Sequence, residues 1–341
     1  MPARASPVCS DERRPFAGEA TALVAALARP GDARGVKSPR VVSLLPSATE
    51  IVCALGAEAE LVGISHECDF PPSLRGRTVL TASRLGSGGT SGDIDRAVRS
   101  LVADALSIYA IDEAALARLA PDLIITQDLC EVCAVSLDDV RAAVSRLAAR
   151  ADVRVLSLHP TRLTDVLGDV LRVGEALGRV EAARAVRAGL EGRIAAIRAR
   201  AAATSARPRV ASIEWLEPLM LGGTWMPELI ELAGGVPVGA RAGEPAPTIA
   251  PTALTALEPD VVLIKPCGFT LARTLDEREL IARLRPHLSP SARVYVADGN
   301  AFFNRSGPRL VESLEIMAAC VAPEEFSDFA RRHAGSVVEA W

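Results

Sequence analysis

The chain has 341 residues, is 49% hydrophobic and carries a net charge of -4. Such length and apolar content support one large buried core or two smaller ones and exclude a wholly disordered chain. The slight negative charge gives no electrostatic footprint for nucleic acid, and no apolar run reaches the ~18 residues that a membrane span needs.

Residues 1–39 read as an N-terminal extension. A secretory signal combines a basic start, an apolar stretch of about 7–15 residues and a small-residue cleavage site. Here Asp11 and Glu12 occupy the early segment, the stretch Ala20–Ala28 is alanine-rich and runs into Arg29-Pro30-Gly31-Asp32, and Cys9 lacks the apolar run of a lipoprotein cysteine. The expectation is a cytoplasmic protein whose seven cysteines are reduced thiols and not a disulfide framework.

From Arg40 on, strand and helix signals alternate. Val41–Leu45 is an apolar run that breaks at Pro46-Ser47, and Ile51, Val52 and Leu55 then recur on one helical face up to Gly56. Leu61–Ser65 is a second strand and opens into His66-Glu67-Cys68-Asp69-Phe70-Pro71-Pro72. Leu123–Thr126 and Val153–Leu158 are further strands; a helix over Leu163–Leu177 closes at Gly178, and another runs from Glu181 to about Ala203. Arg207-Pro208-Arg209 begins a second block with strands at Val210–Ile213, Val261–Ile264 and Val294–Ala297 and helices at Met226–Leu232 and Pro308–Val321. Ala114–Asp122 and Ala253–Asp260 echo each other: in both, a short helix ends at Pro-Asp and feeds an apolar strand. The chain therefore reads as an α/β protein with mostly parallel sheets in two similar lobes, residues 40–160 and 181–341, with a linking helix over 161–180.

The segments Val41–Gly56, Val62–Pro72, the two Pro-Asp units and Asp298–Ser313 carry a resemblance that spans Arg40 to about Val321. This span resembles the periplasmic binding proteins of the vitamin B12 and iron-siderophore uptake type, and most of all their cobalamin-binding branch. The resemblance implies two Rossmann-like lobes joined by a single long α-helix, with the ligand in the cleft between them. It implies a monomeric binder of cobalamin or a related corrinoid with no catalytic cofactor, not an enzyme. Three features depart from the family pattern: the missing export signal, an insertion at Gly86–Asp112, and the loop Cys130-Glu131-Val132-Cys133. They count against a transporter partner.

Loops at the carboxyl ends of strands are where α/β sheets hold ligands. Pro46, Ser47, His66, Glu67, Phe70 and Gln127 fall there in the first lobe. His66 admits two readings, a pocket residue that contacts cobalt or a residue that caps a turn; Cys68 is a soft ligand or core filler. Cys130 and Cys133 form one CxxC, half of what a structural zinc site uses; metal or corrinoid contact, a redox pair and a buried reduced pair all stay open. In the second lobe Trp215, Trp225, Phe302 and Phe303 are scarce aromatics in loops, read as a wall for a flat macrocycle; ordinary core packing is the alternative, stronger for Phe303 and weaker for Trp215. Arg84, Asp298 and Arg305 are candidates to bond ligand amides or carboxylates, with surface salt bridges as the alternative. Glu50 and Glu228 read as first-turn helix carboxylates or, on the resemblance, as docking residues. Two other functions remain: a redox or metal-assisted enzyme using Cys130 and Cys133, and a binder of haem or a siderophore. A siderophore site calls for several convergent arginines, and only Arg84, Arg305 and Arg273 are offered.

Overall fold

The computed structural model describes residues 38–85, 88–103, 109–127, 142 and 153–340. The first sheet is built from β1 (Val41–Ser43), β2 (Leu61–Ile64), β3 (Thr78–Val79), β6 (Leu123–Gln127) and β7 (Arg154–Leu158), in the order β3-β2-β1-β6-β7. Every pairing in it is parallel. The central strands β1 and β6 are buried throughout, which is why they read as continuous apolar runs and not as alternating ones. Helix α1 (Pro46–Ala54) follows β1 directly, with Pro46 at its first turn, where a missing N–H leaves no bond unmade. β4 (Thr81–Ser83) and β5 (Tyr109–Ile111) pair antiparallel as a small separate sheet, and α2 (Ser91–Ala103) lies between them in sequence. Helix α3 (Glu113–Leu119) starts at Asp112, whose side chain accepts the Ala115 N–H.

Between the sheets the chain passes through α4 (Leu163–Ala176) and α5 (Val180–Ala202), which pack on each other. The second sheet holds β8 (Arg209–Trp215), β9 (Met220–Leu221), β10 (Val236–Pro237), β11 (Val261–Ile264), β12 (Arg293–Ala297) and β13 (Val337–Glu339). Its order is β10-β8-β11-β12-β13, parallel except for β13, with β9 antiparallel beside β8. Its helices are α6 (Met226–Leu232), α7 (Ala253–Leu257), α8 (Leu271–Leu275), α9 (Arg278–Ala282), α10 (Leu310–Val321) and α11 (Ser327–Arg332). This is the expected α/β fold in two lobes. The main apolar core is continuous: it runs from α1 and β1 through α4 and α5 to α6 and α10, so the linking helices share a core with both lobes.

The internal echo is structural. Asp122 accepts the Arg40 N–H at 2.8 Å, and Asp260 accepts the Arg209 N–H at 2.8 Å. Arg40 Nε donates to Leu119 O at 2.7 Å, and Arg209 Nη2 to Leu257 O at 2.8 Å. Each lobe thus pins the start of its first strand to the helix end and aspartate that precede a neighbouring strand. Both helices stop at a residue in left-handed conformation, Ala120 (φ 43°) and Glu258 (φ 41°).

Helix α2 starts at Ser91, inside the segment that the sequence shows as an insertion, and Thr90 and Asp93 cap it reciprocally. The closing helix starts at Leu310 and not at Pro308, since Arg305 to Arg309 are drawn into contacts between the lobes.

Candidate functional site

The strand-end loops of the two lobes face one another. From the first lobe come Pro46-Ser47 after β1 and Ser65–Phe70 after β2. From the second come Trp215–Glu217 after β8, Lys265–Phe269 after β11 and Asp298–Arg309 after β12. Ser306 Oγ donates to Ser47 Oγ at 3.4 Å, and Gly307 packs directly on Ser47.

Arg305 occupies the centre of this interface and is almost wholly buried. Its Nη1 and Nη2 donate to Asp69 Oδ1 and Oδ2 at 2.5 and 3.0 Å, a two-pronged pair across the lobes. Nη1 also reaches Glu50 Oε1 at 3.4 Å, and Nη2 reaches Asn300 Oδ1 at 3.1 Å and Glu67 O at 3.4 Å. Asn300 Nδ2 donates to Asp69 Oδ2 at 2.9 Å. Burial pushes the Asp69 carboxyl up, but the hydrogen bonds and charge of Arg305, with Asn300 and Arg309, hold it below the usual carboxylate range. Beside it, the guanidinium carbon of Arg309 lies 4.1 Å above the Phe70 ring and 5.6 Å from that of Phe302.

A second cluster lies on the β8–β11 side. Trp215 and Phe269 meet with ring centroids 5.2 Å apart, and Arg273 stacks on Phe269 at 4.2 Å. Lys265, just after β11, is fully buried, with Nζ donating to Asn304 Oδ1 at 2.8 Å and lying 3.2 Å from Glu214 Oε2. Gly299 is wedged against the backbone of Lys265 and Pro266, so the β11 and β12 loops touch main chain to main chain.

The structure brings together Ser47, Glu67, Phe70, Phe302 and Arg305 from the residues anticipated in the sequence, with Pro46 starting the helix that carries Ser47. His66 stands at the edge of the same loop and faces its own lobe: Nδ1 is 2.7 Å from Thr81 Oγ1, Nε2 is 3.2 Å from Glu67 Oε1, and the ring tilts against Tyr109. Gln127 is buried at the end of β6, and Arg84 is exposed just beyond β4. Asp298 caps its own turn, accepting from Asn300 N at 3.0 Å and Ala301 N at 2.7 Å. Trp225 is in the core, its indole N–H donating to Phe303 O at 2.8 Å. Cys68 is buried against Thr49, and burial pushes its thiol up to about 11. Cys130 and Cys133 lie outside the described residues. Glu50 is buried and bonded by Arg309, and the half-buried Glu228 accepts from Leu163 N at 2.8 Å and Arg162 Nε at 3.2 Å. Among the described residues no group of three His, Cys, Asp or Glu side chains is placed to hold a metal, and no helix is long and apolar enough to cross a membrane.

Lys265, Phe269 and Arg309 are not among the residues anticipated from the sequence, and Asp69 and Asn300 stand inside anticipated strand-end loops without being singled out. Lys265 had a signal: it is one of two lysines in an arginine-rich chain and follows straight from a buried strand.

Residues 41–284 match the family model described as periplasmic binding protein, and the chain belongs to that family of solute-binding proteins. Solved structures agree on the fold. A periplasmic haem-binding protein from Pseudomonas aeruginosa is 22% identical at a TM-score of 0.61, over 84% of this chain and 93% of its own. The apo periplasmic haem-binding protein RhuT from Roseiflexus sp. RS-1 is 20% identical at 0.60, over 86% and 100%. The periplasmic vitamin B12 binding protein BtuF of Vibrio cholerae is 17% identical at 0.58, over 86% and 98%. Comparison with curated protein sequences gives no match.

Proposed function

We propose that this binding protein holds a flat, metal-bearing macrocycle, a corrinoid or a haem, between its lobes. The observation that carries the reading is the convergence of aromatic and arginine side chains on one interface: Phe70, Phe302 and Arg309 on one side, Trp215, Phe269 and Arg273 on the other. Aromatic faces bury the apolar surface of a macrocycle, and a few fixed polar groups set its orientation. The binding named for the structural relatives, haem for two and vitamin B12 for the third, supports the same ligand class.

The two ligands ask different things of Arg305. Haem brings carboxylates that compete with Asp69 for the guanidinium. A corrinoid brings neutral amides, whose carbonyls accept from Arg305 while Asp69 stays in place. A metal contact from His66 requires that Nε2 leave Glu67.

The test is titration of the reduced full-length chain with cyanocobalamin and with haemin, following heat and the visible spectrum. Saturable binding of either ligand is expected, and binding of neither overturns the reading. A band shift that disappears in His66→Ala assigns the metal contact. Asp69→Asn separates the ligands: it strengthens haem binding by freeing Arg305 and leaves corrinoid binding little changed.

A further inference from the structure

Between β4 and β5, the described stretch Gly88–Ala103 meets the second lobe through Gly89, Ser91 and Gly92. Thr90 N–H and Oγ1 donate to Asp93 Oδ2, both at 2.8 Å, and Asp93 N–H donates back to Thr90 Oγ1 at 3.2 Å. This capping box uses the helix's own groups and leaves the Ser91 N–H to find a partner elsewhere. It donates to Glu277 Oε1 of the second lobe at 2.6 Å. Arg273 Nη2 completes the contact, donating to Glu277 Oε1 at 2.9 Å and to Gly89 O at 2.6 Å. Gly92 is pressed on Glu217: a Cβ there would lie 2.6 Å from Oε2.

Only the tip of the helix is buried. Ser91 and Gly92 are inside, whereas from Asp93 to Leu101 no residue is buried. The contact is also incomplete, since Ser91 Oγ and Glu277 Oε2 are shielded from solvent and have no hydrogen-bond partner. The opposite crossing, Glu50 with Arg305 and Arg309, has every carboxylate oxygen bonded. Among the described residues the lobes thus share a crossing at Glu50 whose carboxylate is fully bonded and one at Glu277 that leaves polar atoms unpaired, and a contact of the second kind is the easier to release. The weaker crossing stands on the cation–aromatic stack itself, because Arg273 covers Phe269 with the same guanidinium that holds Gly89.

We infer that Gly88–Ala103 is a detachable strap that closes the Trp215–Phe269 side of the cleft, with Glu277 and Arg273 as its latch, and that ligand enters when the strap lifts. The identity of the ligand rests on the preceding reading; the strap does not.

Hydrogen exchange on the full chain tests it, comparing wild type, Glu277→Ala and a Gly92→Cys/Glu217→Cys pair that is locked by oxidation and freed by reductant. In Glu277→Ala, amides of residues 90–96 and of the wall beneath, 215–217 and 267–273, exchange at least 10-fold faster, while β1 and β12 are unchanged. In the oxidised pair the same amides slow, and reductant restores them. Association of haemin or cyanocobalamin, whichever binds, speeds up about 10-fold in Glu277→Ala and slows in the locked pair. Unchanged exchange in both variants overturns the strap, and so does faster exchange with an unchanged association rate. If neither probe binds wild type, the macrocycle reading falls and exchange alone judges the strap.

Discussion

Glu50 and Arg309 meet head-on across the two lobes: Arg309 Nε donates to Glu50 Oε2 at 3.0 Å and Nη2 to Oε1 at 2.7 Å. The Glu50 side chain is 2% exposed, and Arg305 reaches the same carboxylate. Removing one partner of a buried pair leaves the other charge uncompensated and costs about 3–5 kcal/mol. Glu50→Ala, which strands both guanidinium groups, should lower stability by that order in urea unfolding. Glu50→Gln keeps an acceptor and should cost less; equal losses would mean that packing and not charge holds the contact.

Asp169 on α4 should be a source of instability at neutral pH. Burial pushes its carboxyl from 3.8 to about 6 against the opposing pull of Arg172, and Oδ2 has no hydrogen-bond partner. A carboxyl raised in the folded state supports folding below its unfolded pKa and withdraws that support as pH rises to the folded value. Here the window is 3.8 to about 6, and the shift corresponds to roughly 3 kcal/mol. Asp169→Asn should therefore raise the melting temperature at pH 7.5 and leave it nearly unchanged at pH 4. A variant less stable than wild type at both values would contradict this.

Glu315 on α10 has the opposite sign. Burial alone would raise its carboxyl, but hydrogen bonds from His333, Arg193 and Arg332, with the charge of Arg193, bring it from 4.5 to about 2. His333 Nε2 lies 2.8 Å from Oε2, Arg193 Nη2 donates to Oε1 at 2.8 Å and Arg332 Nη1 to Oε2 at 3.0 Å. Its support for folding is complete above 4.5 and disappears as pH falls through about 2, a contribution of about 3 kcal/mol. Unfolding free energies across that range should fall in wild type and show a shallower slope in Glu315→Gln.

Gly299→Ala should damage the cleft without touching a polar side chain. A Cβ at this position would stand 2.1 Å from Pro266 O and 2.6 Å from Lys265 O, both backbone atoms that cannot swing away. The β11 and β12 loops must part, at a cost of at least about 1–3 kcal/mol. Chemical denaturation gives the stability loss, and ligand titration should show weakened binding at temperatures where the variant is still folded.

The fold was legible because its signals are local. The apolar run of β11, the helix from Met226 closed before Gly234, and the two Pro-Asp units all announce themselves within a few residues. The site was legible only in outline. Arg305 and Phe70 stand out as polar and aromatic residues after strands, but the pairings that define the site are remote: Arg305 is 236 positions from Asp69 and 255 from Glu50, and Arg309 is 259 from Glu50. Ser91 and Glu277 are 186 apart. No periodicity encodes such pairings. Trp225 misled for a related reason: a scarce aromatic before a helix looks like a cleft wall, yet its ring turns under α6 and its N–H meets Phe303 O.

The matched clasps of Arg40 with Asp122 and of Arg209 with Asp260 bear on how the protein is made. Each sheet is closed by its own stretch of chain, the first complete at Leu158 and the second not begun until Arg209. As the polypeptide leaves the ribosome, the first lobe has all its strands, and the aspartate that fastens its leading edge, before any strand of the second exists. The lobe-to-lobe contacts through Arg305 and Arg309 use residues that are synthesised after all the parallel strands of both sheets. A nascent chain halted before Arg305 therefore has every parallel strand of both sheets and none of the Arg305 and Arg309 contacts that join the lobes.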